Sequence, residues 1–164
     1  MAHRHHRAPH RRSKLYLCAI KDACSNRIVG YAIDQRMPAA LAVTALRTAI
    51  ARRGPAPGLL VHSDRGSQLR SRKFCRALRN RDLVGSMGRA GAAGDNAAME
   101  SFFALLQKNV LNRHSWATRD ELRYAIITWI ERTYNRRRRQ RALGRLTPVE
   151  FEAIITSPDL ATAA

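Results

Sequence analysis

Leu15-Tyr16-Leu17-Cys18-Ala19-Ile20 and Arg27-Ile28-Val29-Gly30-Tyr31-Ala32-Ile33 are two strand-sized apolar runs joined by the turn-rich segment Asp22-Ala23-Cys24-Ser25-Asn26. Runs of this length, separated by Asp, Ser and Asn, predict a β-hairpin. Downstream, Pro38 stands where a first helical residue is expected, and Leu41, Ala45, Leu46, Ala49 and Ile50 recur at helical spacing until Gly54-Pro55 stops the helix. Leu59-Leu60-Val61-His62 reads as a short buried strand, Ser71 to Asn80 as a helix, and Asp82-Leu83-Val84-Gly85 as a last strand. Strands alternating with helices in this way predict an α/β domain built on a mixed sheet.

The 164 residues suffice for one domain with a substantial core. Thirty Lys and Arg against 12 Asp and Glu give a net charge of +18, which suits a polyanionic partner, so DNA or RNA is expected. No apolar run approaches the roughly 20 residues of a membrane-spanning helix, nor does Leu15–Ile20 serve as a signal-peptide core. No membrane partner is read, and the cytoplasm is the expected compartment. Cys18, Cys24 and Cys75 are odd in number and lack C-x-x-C spacing, so they are read as reduced and structural. Residues 1–13 hold four of the six histidines and four arginines with no acidic residue, the composition of a disordered basic arm. Residues 14–134 are read as the core and 135–164 as a basic C-terminal tail.

Two carboxylates stand out. Asp64 lies in Val61-His62-Ser63-Asp64-Arg65-Gly66-Ser67-Gln68, and Glu100 lies in Gly94-Asp95-Asn96-Ala97-Ala98-Met99-Glu100-Ser101-Phe102-Phe103, with 35 residues between them. Met99, Phe102, Phe103, Leu106 and Val110 form the stripe of an amphipathic helix that Asp95 or Asn96 can cap. Glu100 sits beside that stripe, one turn into the helix, where a loop-borne Asp64 at a strand end can face it across a metal. The plainer reading is a surface glutamate favoured by the helix N-terminus. His62 is read first as a packing residue and only second as a ligand.

These motifs resemble the DDE transposases, specifically the integrase-like catalytic core of the second-reading-frame transposases of bacterial insertion sequences, from about Lys14 to Phe151. Asp22-Ala23-Cys24-Ser25-Asn26-Arg27-Ile28-Val29-Gly30 matches that family's Asp-x-x-Ser-x-x-Ile-Val-Gly segment. Tyr134-Asn135-Arg136-Arg137-Arg138-Arg139-Gln140-Arg141-Ala142-Leu143-Gly144 resembles its Tyr-Asn-x-x-Arg-x-His-x-x-Leu-Gly tail, with Gln140 where His is usual. The resemblance implies a ribonuclease-H-like mixed sheet flanked by helices. It also implies DNA cleavage followed by strand transfer, an in-line displacement at phosphorus that two Mg²⁺ (or Mn²⁺) ions about 4 Å apart can stabilise. Three carboxylates hold such ions, and Asp64 and Glu100 match the second and third. Arg65, Asn96, Lys108, Arg136, Arg137, Arg138, Arg139 and Arg141 are the candidate DNA contacts, of a kind that positions phosphates without reading bases. A solvated face for the arginines and a helix cap for Asn96 are the alternatives.

The family's first Asp belongs to a Trp-x-Thr-Asp-Ile-Thr strand, where this chain reads Arg4-His5-His6-Arg7. Asp22 matches a different family position. Shifted one base downstream, the codons of Met1-Ala2 must give Trp, and those of the following residues permit Leu, Thr, Asp, Ile and Thr in turn. A single-base loss near Ser13 is therefore expected to have put this segment out of frame. The expectation is an N-terminally truncated core lacking its first central strand, without the upstream helix-turn-helix domains of a full-length transposase. Unpaired edges would then flank the gap. Such a chain would bind DNA while catalytically impaired, alone, as a homo-oligomer, or in association with intact transposase. A non-enzymatic DNA-binding inhibitor of transposition and a product without function remain as alternatives.

Overall fold

The hairpin forms as its composition demands. In the computed structural model, which describes residues 14–54, 57–63, 67–87 and 97–157, β1 (Tyr16–Lys21) pairs antiparallel with β2 (Ile28–Asp34), Tyr16 opposite Asp34 and Ile20 opposite Gly30. Asp22 builds the turn: its Oδ1 accepts the backbone N–H groups of Cys24 and Ser25, both at 2.9 Å. Asn26 completes it at φ 59°, a left-handed conformation Asn tolerates.

Alternation along β1 sets the layers. Leu15, Leu17 and Ala19 enter one core cluster with Ile28, while Cys18 enters a second with Leu41, Ala45 and Leu46, joined by Tyr16 and Ile20. The hairpin is thus apolar on both faces and carries helices on both, the arrangement of an α/β sheet. On the second face lies α1 (Ala39–Arg53), ended by Gly54 at φ 76°. Pro38 is its N-cap, extended at ψ 159°, so the helix starts one residue later than expected. Gly30 permits the close approach: a Cβ there would lie 2.7 Å from that of Ala49 and overlap the Ala45 carbonyl.

A second, parallel pair comprises β3 (Leu60–Ser63) and β4 (Val84–Met87), Leu60 opposite Val84 and Ser63 opposite Met87. Between them runs α2 (Arg72–Arg79), capped by Ser71, whose Oγ accepts the Phe74 N–H at 3.2 Å. Two expectations need correction. The last strand begins at Val84, not Asp82, because Asp82 (φ 53°) and Leu83, whose N–H bonds back to Leu78 at 3.1 Å, are used in leaving α2. The strand at Leu59–His62 is not buried: Leu59 and Leu60 are 52% and 60% exposed, since no described strand covers that edge of β3. Among the described residues the sheet order is β2-β1 and β3-β4, two separate pairs with no strand joining them. The expected first central strand would fall on residues 1–13, outside the described residues. Residues 1–13, read above as a basic arm, lie outside the described residues.

The first core is built by α3 (Ala97–Leu106), which continues as a π-wound turn at Gln107–Leu111, and by α4 (Arg119–Thr128), which continues π-wound through Trp129–Tyr134. Met99, Phe102, Phe103, Leu106 and Val110 are all buried, as their spacing requires. A capping box starts α4: Thr118 Oγ1 accepts the Glu121 N–H at 3.1 Å and Glu121 Oε2 accepts the Thr118 N–H at 3.3 Å. The ring of Phe102 stands edge-on to Phe103 at 5.2 Å and to Tyr134 at 5.1 Å, locking the two helices together.

Two polar contacts bind the C-terminal segment to the hairpin. Buried Asn135 offers its amide to β2, Oδ1 accepting the Ile28 N–H at 3.0 Å and Nδ2 donating to the Ile28 carbonyl at 3.1 Å. From α5 (Pro148–Ile155), Glu152 accepts hydrogen bonds from Ser25 Oγ at 2.6 Å, from Arg27 at 2.5 Å and from Arg53.

Asn135→Ala strips the partners from two buried backbone groups and is expected to cost about 2–5 kcal/mol in denaturant unfolding. Burial pushes the Glu152 pKa up, but donation from Arg53, Ser25 and Arg27 outweighs it and holds the carboxyl below the ordinary value of 4.5. A depressed folded-state pKa stabilises above the unfolded value and ceases to do so as pH falls through the folded one. Acid unfolding should therefore show a loss below about pH 4 that Glu152→Gln, already weakened at neutral pH, does not show.

Candidate catalytic and nucleic-acid site

β3 delivers the chain to the Asp64 loop. His62 Nδ1 lies 3.2 Å from Ser86 Oγ on β4, and Ser63 is buried. Asp64, Arg65 and Asn96 fall outside the described residues. Glu100 is placed on the exposed side of α3 in its first turn, between buried Met99 and buried Phe102. One cavity of about 630 Å³ is lined by Val61 and His62 from β3 and by Ala98 and Met99 from α3. His62, two residues before Asp64, and Met99, the residue before Glu100, therefore line a common space.

Asp22 is engaged elsewhere. Its Oδ1 is held by the hairpin turn and its Oδ2 pairs with Arg53 Nη2 at 3.0 Å, so Asp22 serves the turn and the contact between the hairpin and α1. Lys21, at the end of β1, donates from Nζ to the Ala98 carbonyl at 3.1 Å, two residues before Glu100. Burial lowers the Lys21 pKa. Among the described residues no three His, Cys, Asp or Glu side chains gather at a point.

The arginine-rich segment divides sharply by burial. Tyr134 and Asn135 are core residues, 2% and 1% exposed, whereas Arg136, Arg137, Arg138, Arg139 and Arg141 are exposed. The chain leaves α4 with the N–H groups of Arg137 and Arg138 bonded to the Thr133 carbonyl, at 3.0 and 2.8 Å, and then closes a turn in which Gln140 pairs with Leu146. Arg139 lies 3.6 Å from Glu150 Oε1. No carboxylate pairs with Arg136, Arg137, Arg138 or Arg141 among the described residues. Lys108 is exposed on the π-wound turn after α3.

A second basic surface escaped the sequence reading. On α2, Phe74 and Leu78 face the core, and Arg72, Lys73, Arg76 and Arg79 are exposed. The signal was present in their spacing on the face opposite the two apolar residues. This helix follows directly on the turn at Ser67–Arg70 that leaves the Asp64 loop.

Comparison with known proteins decides the family. One integrase core domain profile matches residues 4–93, and a second matches residues 82–148. This chain belongs to the integrase core domain family. Over 138 residues it is 37% identical to the transposase InsF of insertion sequence IS3A from Escherichia coli K12, covering 84% of this chain and 48% of that protein. It is 36% identical over 144 residues to the transposase of insertion sequence element IS904 from Lactococcus lactis, covering 88% of this chain and 57% of that one. This integrase core therefore spans about half the length of the transposases it matches. Its fold is that of retroviral integrase cores. The catalytic core domain of HTLV-2 integrase in complex with magnesium superposes with a TM-score of 0.64 at 16% identity, covering 92% of this chain and 91% of that one. The catalytic core of BIV integrase does so with a TM-score of 0.63, also at 16% identity, covering 87% and 90%. No helix of the described residues is long and apolar enough to cross a membrane.

Proposed function

We propose that this integrase core is the DNA-engaging part of an insertion-sequence transposase that binds DNA without completing catalysis. The cavity lined by His62, two residues before Asp64, and by Met99, next to Glu100, supports the assignment of Asp64 and Glu100 as two of three catalytic, metal-holding carboxylates. The divalent ions, Mg²⁺ or Mn²⁺, would stabilise both oxygens of the displacement at phosphorus when bound. The third carboxylate is the difficulty. The family profile already aligns from residue 4, where this chain reads Arg4-His5-His6-Arg7, and Asp22 is committed to the turn and to Arg53. In this reading residues 1–13 are encoded out of frame, and resequencing their codons should reveal an open Trp-Leu-Thr-Asp-Ile-Thr frame.

DNA binding rests on one observation: exposed arginines at 136–139 and 141, four of them without a carboxylate partner among the described residues, on a chain of net charge +18. Arg65, Asn96 and Lys108 are assigned to the same ligand, with the α2 cations adding a surface nearer the Asp64 loop. The chain works in the cytoplasm, as a homo-oligomer or joined to intact transposase.

Fluorescence anisotropy with a duplex across a salt series tests this. Each phosphate contact contributes about −0.9 to the slope of log affinity against log salt. Changing Arg136, Arg137, Arg138, Arg139 and Arg141 together to Gln should flatten the slope by about 4–5 and weaken all sequences alike. An unchanged slope, or a loss confined to one sequence, would remove the arginines from the DNA interface.

A further inference from the structure

Arg70, Arg72, Lys73, Arg76, Arg79 and Arg81 put six cations into twelve residues, and Asp82 is the first carboxylate to follow them. All six are exposed, and none pairs with a carboxylate among the described residues. Arg72, Arg76 and Arg79 stand at i, i+4 and i+7 of α2, so they form one row about 10 Å long, with Lys73 beside it. The other side of the helix is fixed, because Phe74 and Leu78 are buried. No exposed apolar or aromatic side chain stands among the cations. A protein partner would need such an anchor at the centre of its interface. A row of unpaired guanidinium groups suits instead the phosphates of a duplex, which carries a charge about every 1.7 Å of its axis.

The place of this row in the layers separates it from Arg136–Arg141. Through Phe74 and Leu78, α2 packs in the cluster that holds Cys18 of β1 with Leu41 and Leu46 of α1. The helix that leads into Arg136–Arg141 packs, through Trp129, Ile130 and Tyr134, in the cluster that holds Leu17 and Ala19. Leu17 and Cys18 are successive on one strand and point to opposite faces, so the hairpin stands between the two basic surfaces. The cations that join the layers are already neutralised: Arg52 pairs with Glu131, and Arg53 with Asp22 and Glu152. We propose that the outer face of α2 is a second DNA-binding surface, which holds a duplex segment other than the one on Arg136–Arg141, so that one chain bridges two segments. The bridge rests on the reading of Arg136–Arg141 as DNA contacts, whereas the α2 surface does not. Contacts of this kind to phosphate carry no sequence preference.

The number of short duplexes bound per chain tests this, counted by titration of the full chain at low salt, well above Kd, with a duplex of one helical turn, about 10 base pairs. The unmodified chain should take two per chain, whatever its oligomeric state. Changing Arg72, Lys73, Arg76 and Arg79 together to Gln, a good helix former, should leave one. Changing Arg72, Arg76 and Arg79 to Lys, which keeps the charge, should leave two. The Gln set at Arg136, Arg137, Arg138, Arg139 and Arg141 should also leave one. An unmodified chain that takes a single duplex, or a Lys set that falls to one, would overturn the proposal. An α2 Gln set that still takes two would overturn it as well, leaving the face to an acidic protein. A count lowered by the α2 Gln set and unmoved by the set at 136–141 would uphold the α2 surface and remove the other arginines from DNA.

Discussion

Leu17 and Cys18 are neighbours on one strand, and they belong to different hydrophobic cores. Everything else in the molecule depends on that division. A strand with period two that is apolar at every position has to be covered on both sides. The chain meets this demand with α1 against one face and α3 and α4 against the other. Gly30 lets α1 approach the strand closely, the Phe102–Tyr134 contact joins the two helices opposite, and the Asn135 amide holds β2 from the C-terminal side. Glu131 adds a brace across the layers, accepting from both Tyr31 on β2, at 2.9 Å, and Arg52 on α1, at 2.6 Å.

The faces of the hairpin are covered on both sides. The hairpin and the β3-β4 pair each end in an edge that meets no described strand. Asp64 follows β3 directly and Glu100 stands on a helix docked against β1, so their relation depends on two units that no described strand ties together. The arginines after Asn135 are anchored by Asn135 and by Glu152, both bonded to the hairpin region.

Much of this was legible in the sequence for reasons of periodicity. The stripe from Met99 to Val110 and the alternation in β1 are long, regular and dominated by burial, so pattern and packing agree. Short elements were less legible. Asp82 looked like the start of a strand and is a helix exit, because backbone hydrogen bonds to Leu78 settle the matter where four residues of pattern cannot. Leu59 and Leu60 looked buried, since hydrophobicity says what a residue prefers and not whether a neighbour is there to cover it. Asn135 and Glu152 were unreadable as structural residues. Their roles depend on partners 107 and 127 positions away, Ile28 and Ser25, which no local spacing announces. The basic face of α2 was readable and was overshadowed by the denser arginine run. Asp64, Arg65 and Asn96 rest on sequence alone.

The most direct measurement is a strand-transfer and cleavage assay on the unmodified chain with DNA ends and Mg²⁺ or Mn²⁺, run beside Asp64→Asn and Glu100→Gln. A core with two of its three carboxylates should bind the DNA and yield no more product than either variant. Metal-dependent product from the unmodified chain that disappears in both variants would contradict the account and require a third ligand that the present assignment does not contain.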